Sequence, residues 1–144
     1  TFVRINKEEA HLLLKELEAY ILRIGGSRIL EERIDFGLIS PYKAQVQYLR
    51  GKIKGSATLR PYRSLITVNT VDGFQGQERD VIFISLVRAN EEGQIGFLND
   101  LRRMNVAITR ARMKLVILGE AATLGHHAFY KQLLEYVKKV NGRQ

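Results

Sequence analysis

The stretch VIFISLV, residues 81–87, carries bulky apolar side chains, many of them β-branched. They occupy both odd-numbered and even-numbered positions, which would point to the two opposite faces of a strand. A half-exposed strand would alternate apolar with polar residues, whereas this pattern is typical of a central strand in a parallel sheet that is covered on both sides. Shorter apolar runs at residues 36–40, 65–69 and 114–118 predict further strands. The sequence therefore predicts a buried sheet of several strands.

Helical patterns alternate with these strands. Asn6 and Glu9 form an Asn-x-x-Glu start signal, and apolar residues then recur at helical spacing as far as Ile24. Gly25 and Gly26 are predicted to end this first helix.

A second helix is predicted after Pro41, with Gln45 among the residues away from its apolar stripe. The apolar stripe, which is expected to pack on the sheet, consists of Val46, Leu49 and Ile53. Residues 51–63 lack periodicity and are expected to form a surface connection. Further helices are predicted at residues 100–109 and near the end of the chain.

Alternation of this kind specifies an α/β fold with a mostly parallel sheet covered by helices on both faces. The 144 residues fit one domain, residues 1–144, and the 45% hydrophobic and 26% charged residues match ordinary globular usage. No apolar run approaches the roughly 20 residues that a membrane span requires. The chain has no cysteine, which excludes disulfides and thiolate metal sites, and we expect a cytoplasmic protein without a metal site of its own.

The charge balance suggests one class of partner. Lys and Arg number 23 against 15 Asp and Glu, a formal net charge of +8, which favours a polyanion such as nucleic acid. A basic domain can also simply be soluble, so the positions of the charges must decide between the two readings.

Loops that follow strands are the first place to search for a site, because ligands of open α/β sheets bind at the carboxyl ends of the strands. Three such loops are predicted, at residues 40–42, 70–78 and 88–100.

The segment VNTVDGFQGQERDVIFISLVRAN, residues 68–90, places two glycines, Gly73 and Gly76, between two predicted strands. Glycines permit a tight turn and a close approach of ligand to backbone, and Gln75 and Glu78 offer an amide and a carboxylate for hydrogen bonds. The alternative is that the glycines only shape a loop.

The segment GQIGFLNDLRRMNVAITRARMKLVILGE, residues 93–120, concentrates four arginines in and just after one predicted helix: Arg102, Arg103, Arg110 and Arg112. Arg103 and Arg110 are seven residues apart and share a helix face. An arginine fork can bind two phosphate oxygens at once, so the segment is a candidate phosphate site. The alternative is a solvated basic helix or a set of ion-pair partners for nearby acids.

These residues resemble a known family. The strings GLISPYKAQ at 37–45, TVDGFQGQERDVI at 70–82 and RRMNVAITRAR at 102–112 resemble, in order and spacing, motifs IV, V and VI of superfamily 1 helicases. GFLND at 96–100 strengthens the likeness to the subgroup of the nonsense-mediated decay helicase and senataxin. The resemblance implies a RecA-like, three-layer domain of the P-loop NTPase type, the second of the two motor domains of an ATP-dependent DNA or RNA helicase.

The resemblance also implies a half-site for ATP. Arg110 corresponds to the arginine finger, Glu78 to the carboxylate that holds the ribose, and Gln75 and Gly76 to the loop beside the nucleotide. Lys7 stands where the family has a phosphate-contacting arginine, and a lysine keeps the charge but loses the two-pronged geometry. Lys7 is therefore either a phosphate contact or an exposed lysine in the first turn of a helix.

A path for one nucleic-acid strand is implied as well. The residues that match family positions at or near this path are Ser40, Pro41, Tyr42, Thr70 and Arg88. Contacts to phosphates predict sequence-independent binding of single-stranded DNA or RNA, and Tyr42 either stacks on a base or, as we favour, packs in the core. Arg102 and Arg103 are candidates for coupling the two sites.

Two elements of ATP hydrolysis are absent from the sequence: a Gly-x-x-x-x-Gly-Lys-Ser/Thr loop and an acidic pair for Mg²⁺. We expect an N-terminal RecA-like domain of the same polypeptide to supply them and to hold most of the magnesium, and the 144 residues alone to be inactive. The alternatives are a nucleic-acid-binding or scaffold domain without motor activity, and the helicase domain of a helicase–nuclease fusion.

Overall fold

The computed structural model describes residues 5–74, 76–85, 87 and 111–118. Within them lie four β-strands, four α-helices and one 3₁₀ helix. The helices predicted at 100–109 and near the end of the chain lie outside these residues, so they stay predictions.

The strands form one sheet, in which every neighbouring pair is parallel. They are β1 (Phe36–Ser40), β2 (Ile66–Thr70), β3 (Arg79–Ser85) and β4 (Ala111–Leu118), in the order β2-β1-β3-β4. All five residues of β1 and the last five of β3 are buried. Because successive side chains point to opposite faces of a sheet, both faces are covered at these two strands. The predicted α/β fold with a parallel sheet is confirmed.

Helix α1 (Lys7–Ile24) begins at the predicted cap, where the Asn6 side chain accepts a hydrogen bond of 2.9 Å from the backbone N–H of Glu9. It ends at Gly25, whose φ of 101° is open to glycine at little cost. The prediction that Gly26 also stops the helix is wrong, because Gly26 is the first residue of a second helix, α2 (Gly26–Glu32). The chain thus turns at one glycine rather than two.

Helix α3 (Lys43–Lys54) buries the predicted stripe of Val46, Leu49 and Ile53 and packs against β1 and β2. The expected surface connection at 51–63 is wrong in two respects. The helix continues through Lys54, and a 3₁₀ helix then forms at Arg60–Leu65 with Pro61 in its first turn. Leu59 and Leu65 are buried and anchor this segment, an effect of tertiary packing that local periodicity does not reveal.

The segment after β2 returns the chain to the opposite end of the sheet. Thr70 pairs with Ser40 at the carboxyl end of the strands, whereas Val81 pairs with Phe36 near their amino end. Residues 71–78, which include the short helix α4 (Val71–Phe74), therefore run from one end to the other. The prediction of one loop at the carboxyl end, spanning residues 70–78, needs correction, because Glu78 stands at the amino end.

Candidate functional site

Four charged residues meet at the amino end of the sheet and are called here the amino-end cluster: Asp35, Glu78, Asp80 and Arg112. The Arg112 guanidinium donates from Nε to Asp80 Oδ1 at 2.9 Å and from Nη2 to Asp35 Oδ1 at 3.3 Å. Its Nη1 lies 3.7 Å from Glu78 Oε2. The hydrogen bond to Asp80 is the main cause that raises the pKa of Arg112 above its ordinary value, so the guanidinium stays charged.

A β-bulge sets this geometry. Arg79 pairs with Ala111, but Val81 pairs with Lys114, so β4 has one more residue than β3 between these two pairs. Bulges bend a strand and redirect side chains. Here the extra residue lies beside Arg112, whose guanidinium reaches Asp80 at the start of β3 and Asp35 directly before β1.

The two aspartates are also tied to each other through the backbone. The N–H of Asp35 donates to Asp80 Oδ2 at 3.1 Å, and the N–H of Asp80 donates to Asp35 Oδ1 at 2.7 Å. Arg112 supplies the positive charge for both carboxylates. From the sequence, ion pairing with nearby acids is the alternative to a phosphate site, and for Arg112 this alternative is confirmed. Among the described residues no group of His, Asp and Glu is arranged to hold a metal ion.

Glu78 is the most exposed acid of this cluster, and Gly76 lies two residues before it in the sequence. The Glu78 side chain is about half exposed. Gly76 has a φ of 82°, in the left-handed region, and open space where a side chain would project. Ala111 follows Arg110 directly and pairs with Arg79, the neighbour of Glu78. The fold thus brings Glu78 close to the backbone that continues from Arg110.

The described candidates for nucleic-acid contact lie at the carboxyl end of the sheet. Ser40 and Thr70 are register partners on β1 and β2, and Pro41 and Tyr42 follow directly. Ser40 is fully buried, and its Oγ accepts the N–H of Tyr42 at 3.2 Å. Pro41 is buried as well, whereas Tyr42 and Thr70 are partly exposed. Tyr42 is not part of the hydrophobic core cluster that the described residues form, in contrast to the packing that we favour from the sequence. In this arrangement Tyr42 and Thr70 have side chains within reach of a ligand, and Ser40 shapes the turn.

A buried polar network lies at the same end and was missed by the sequence analysis. The Gln45 amide, predicted on the helix surface, is fully buried, donates to Asn6 O at 3.0 Å and to Ser85 Oγ at 3.1 Å, and accepts the Asn6 N–H at 2.9 Å. Glu9 Oε1 accepts from Ser85 Oγ and from the N–H of Val87. The available signal was Ser85, a polar residue inside an apolar strand.

Lys7 is exposed and is the first residue of α1, with its Nζ 5.9 Å from the centre of the Tyr48 ring. Two residues after Lys7, the Glu9 side chain accepts hydrogen bonds from Ser85 and Val87 at the carboxyl end of β3. Glu78, in contrast, precedes the amino end of that strand. The seven residues of β3 span about 20 Å. Within the described part of the chain, Lys7 is therefore grouped with the carboxyl end and not with Glu78.

Five candidate residues lie outside the described residues: Gln75, Arg88, Arg102, Arg103 and Arg110. Their predicted roles stay predictions. No helix among those described is long and apolar enough to cross a membrane.

Comparison with known proteins gives the family. Residues 2–122 match the family model described as "AAA domain". The "Probable helicase MAGATAMA 3" of Arabidopsis thaliana is 44% identical over 78% of this chain, and "Helicase SEN1" of Saccharomyces cerevisiae is 39% identical over 92% of it. "Regulator of nonsense transcripts 1" of Dictyostelium discoideum is 44% identical over 73%.

The chain spans only a small part of these relatives: 14% of the first, 6% of the second and 8% of the third. The match of the family model nevertheless covers most of this chain, including all its described strands. The resemblance to superfamily 1 helicases is thereby confirmed. This chain belongs to the AAA-domain family and, within it, to the superfamily 1 helicases of the nonsense-mediated decay and senataxin type.

Proposed function

We propose that this chain is the second motor domain of an ATP-dependent helicase, which receives ATP at the amino end of its sheet and one nucleic-acid strand at the carboxyl end. The observation that carries this proposal is the separation of the candidate residues: Glu78 stands at one end of the sheet, and Tyr42 and Thr70 stand at the other. Strands β1 and β3 connect the two ends. A buried parallel sheet is stiff enough to transmit a displacement between them.

At the nucleotide end, Glu78 is an exposed carboxylate that can accept hydrogen bonds from ribose hydroxyls, and the Gly76 turn leaves room for a ligand to approach the backbone. Gln75 directly precedes Gly76 in the sequence. Arg110, one residue before β4, would stabilise the charge on the phosphate oxygens as it develops. Arg102 and Arg103 would couple conformational changes at the nucleotide site to the bound nucleic acid.

These residues suit the nucleotide better than its metal. ATP with Mg²⁺ supplies the phosphoryl group and its charge neutralisation when bound. Arg112 already engages the nearby carboxylates Asp35 and Asp80, so they are poor magnesium ligands. We therefore propose that an N-terminal RecA-like domain of the same polypeptide supplies the metal ligands.

At the carboxyl end of the sheet, nucleic-acid phosphates and the face of one base would be held by the Thr70 hydroxyl, the Tyr42 side chain and backbone N–H groups near residues 40–42. Arg88 would add a cation. None of these groups reads a base sequence, so the proposed ligand is single-stranded DNA or RNA of any sequence.

The test is ATP hydrolysis by the full-length protein, with and without single-stranded DNA or RNA, for wild type and the variants Arg110→Ala and Arg28→Ala. We expect Arg110→Ala to lower the strand-stimulated kcat by roughly 10³-fold or more while strand binding without ATP is retained. Among the described residues, Arg28 forms an ion pair with Glu32 on α2 alone, and Arg28→Ala is the control with wild-type turnover. Unchanged turnover in Arg110→Ala would remove the proposed mechanism. Strand binding without any ATPase activity in wild type would favour a non-motor binding domain.

Lys7 requires its own pair of variants. If Lys7 contacts a phosphate of ATP, Lys7→Ala raises the KM for ATP and Lys7→Arg restores it, since arginine keeps the charge and adds a second donor. Equal KM values in all three proteins would make Lys7 an exposed first-turn lysine.

A further inference from the structure

Residues 36–71 contain no Asp or Glu, although acids occur directly on either side, at Asp35 and Asp72. The same stretch holds six basic residues: Lys43, Arg50, Lys52, Lys54, Arg60 and Arg63. A solvated surface normally mixes both signs of charge. A segment of one sign only therefore points to an anionic partner.

The fold places most of these cations on one surface. Lys43, Gln47, Arg50 and Lys54 are spaced by four, three and four residues and share one exposed face of α3. Gln45 and Lys52 lie on another face, where Gln45 hydrogen-bonds to Asn6 and Ser85 and the Nζ of Lys52 lies 5.5 Å from the centre of the Tyr48 ring. The shared face thus remains open to solvent.

Arg63 joins this face from the 3₁₀ helix. A surface groove of about 250 Å³ lies between α3, the 3₁₀ helix and β2, and we call it the basic groove. Its lining residues are Arg50, Ile53, Lys54, Arg63, Ile66 and Val68. Cations therefore rim an apolar floor, an arrangement that suits a sugar–phosphate chain, which has charged oxygens along an apolar sugar surface.

Arg50 is fixed in this groove by the sheet. Its Nε and Nη2 donate to Val68 O on β2 at 3.1 and 2.7 Å. The guanidinium covers backbone of the outermost strand in the described sheet, so it hinders pairing of another protein's strand at this point. Lys54 and Arg63 form no ion pair with another described residue. They remain available to an external anion.

The basic groove extends the candidate nucleic-acid path that begins near Tyr42 and Thr70. Lys43 follows Tyr42 directly, and the 12 residues of α3 carry the basic face about 18 Å away from the carboxyl end of the sheet. We propose that the basic groove binds the phosphate backbone of the same nucleic-acid strand beyond the part held at Tyr42 and Thr70. This inference rests on the proposed function and adds to it a second, non-catalytic contact region that lengthens the bound strand.

The test measures binding of single-stranded DNA to the full-length protein without ATP, at several salt concentrations, with oligonucleotides of about 10 and about 30 nucleotides. The variant is Lys54→Gln/Arg63→Gln, which spares the structural Arg50. The matched control is Lys15→Gln/Arg23→Gln, which removes the same charge from exposed positions of α1.

We expect the groove variant to bind the long strand several-fold more weakly, with a salt slope reduced by about 1.4 because two phosphate contacts of about 0.7 each are lost. The control should match wild type with both strands. In a second measurement, the long strand should protect Lys54 from an amine-reactive reagent.

Long-strand affinity and slope equal to those of the control would overturn the inference, as would the absence of long-strand protection at Lys54. Failure of wild type to bind either oligonucleotide would instead reject the proposed function on which the inference rests. Because no ATP is present, a defect in hydrolysis cannot be mistaken for either outcome.

Discussion

The guanidinium of Arg112 on β4 and the carboxylate of Asp80 on β3 are joined by an Nε–Oδ1 hydrogen bond of 2.9 Å. The same guanidinium reaches Asp35, the residue before β1, so one side chain connects the amino ends of three adjacent strands. Arg112 is 44% exposed, which means that solvent screens its charge. Its value to the fold therefore lies in fixing three strand starts, and with them Glu78, more than in a large electrostatic energy.

Replacement of Arg112 by alanine should lower the free energy of unfolding by about 1–2 kcal/mol, since it removes a hydrogen-bonded contact shared by two aspartates. Arg112→Lys should recover less than half of this loss, because one ammonium group cannot reproduce the fork. Urea unfolding measures both. The control is Arg28→Ala, which breaks an exposed i,i+4 pair and should cost less than about 0.5 kcal/mol. Equal losses at the two arginines would contradict the shared-contact argument.

Gly37→Ala should destabilise the protein by about 2–3 kcal/mol. A Cβ at this position would lie 2.5 Å from Phe74 Cζ, and Phe74 is almost fully buried, so the ring of α4 would have to move. Gly51→Ala is the matched control: nothing lies within 4 Å of its new Cβ, and the site is inside α3. Alanine there should stabilise by up to about 1 kcal/mol. Thermal or urea unfolding that gives the same sign for both would be inconsistent with this packing.

Glu9→Ala should cost about 2–3 kcal/mol, because the buried N–H of Val87 and the Ser85 hydroxyl would lose their acceptor. Glu9→Gln keeps an oxygen of similar position and should cost clearly less. Glu8 is exposed on the same turn of α1, and Glu8→Ala is the control with less than about 0.5 kcal/mol of change. Similar unfolding midpoints for Glu8→Ala and Glu9→Ala would show that the network contributes little.

The parts of the fold that the sequence predicted are those that depend on local pattern. The Asn6 cap, the bounds of β1 and the buried stripe of α3 follow from periodicity and capping chemistry. Polarity alone predicts that Gln45 is exposed on the helix surface, yet its partners lie 39 and 40 residues away. No local window contains such a pairing.

The site was predicted less completely than the fold. The sequence identifies Glu78 as a candidate but does not show at which end of the sheet it lies, because strand order and the direction of the 71–78 segment are set by long-range pairing. From the sequence Arg112 is only one of several arginines, because its structural role depends on Asp35, 77 residues earlier. Resemblance supplied the identity of candidate residues, whereas only the pairing of strands supplied their distribution between the two ends.

Gly76→Ala should lower the free energy of unfolding by about 1 kcal/mol, since the φ of 82° is strained for any residue with a Cβ. Nothing lies within 4 Å of the added Cβ, so the effect is one of backbone conformation and not of collision. Gly76→Asn should lose less, because asparagine tolerates the left-handed region better than alanine. In the full-length protein, a shift of this turn should displace Glu78 and raise the KM for ATP in the order Gly, Asn, Ala, with a smaller change in kcat. If stability follows that order while the KM stays constant, the turn serves the fold alone and Glu78 does not hold the nucleotide.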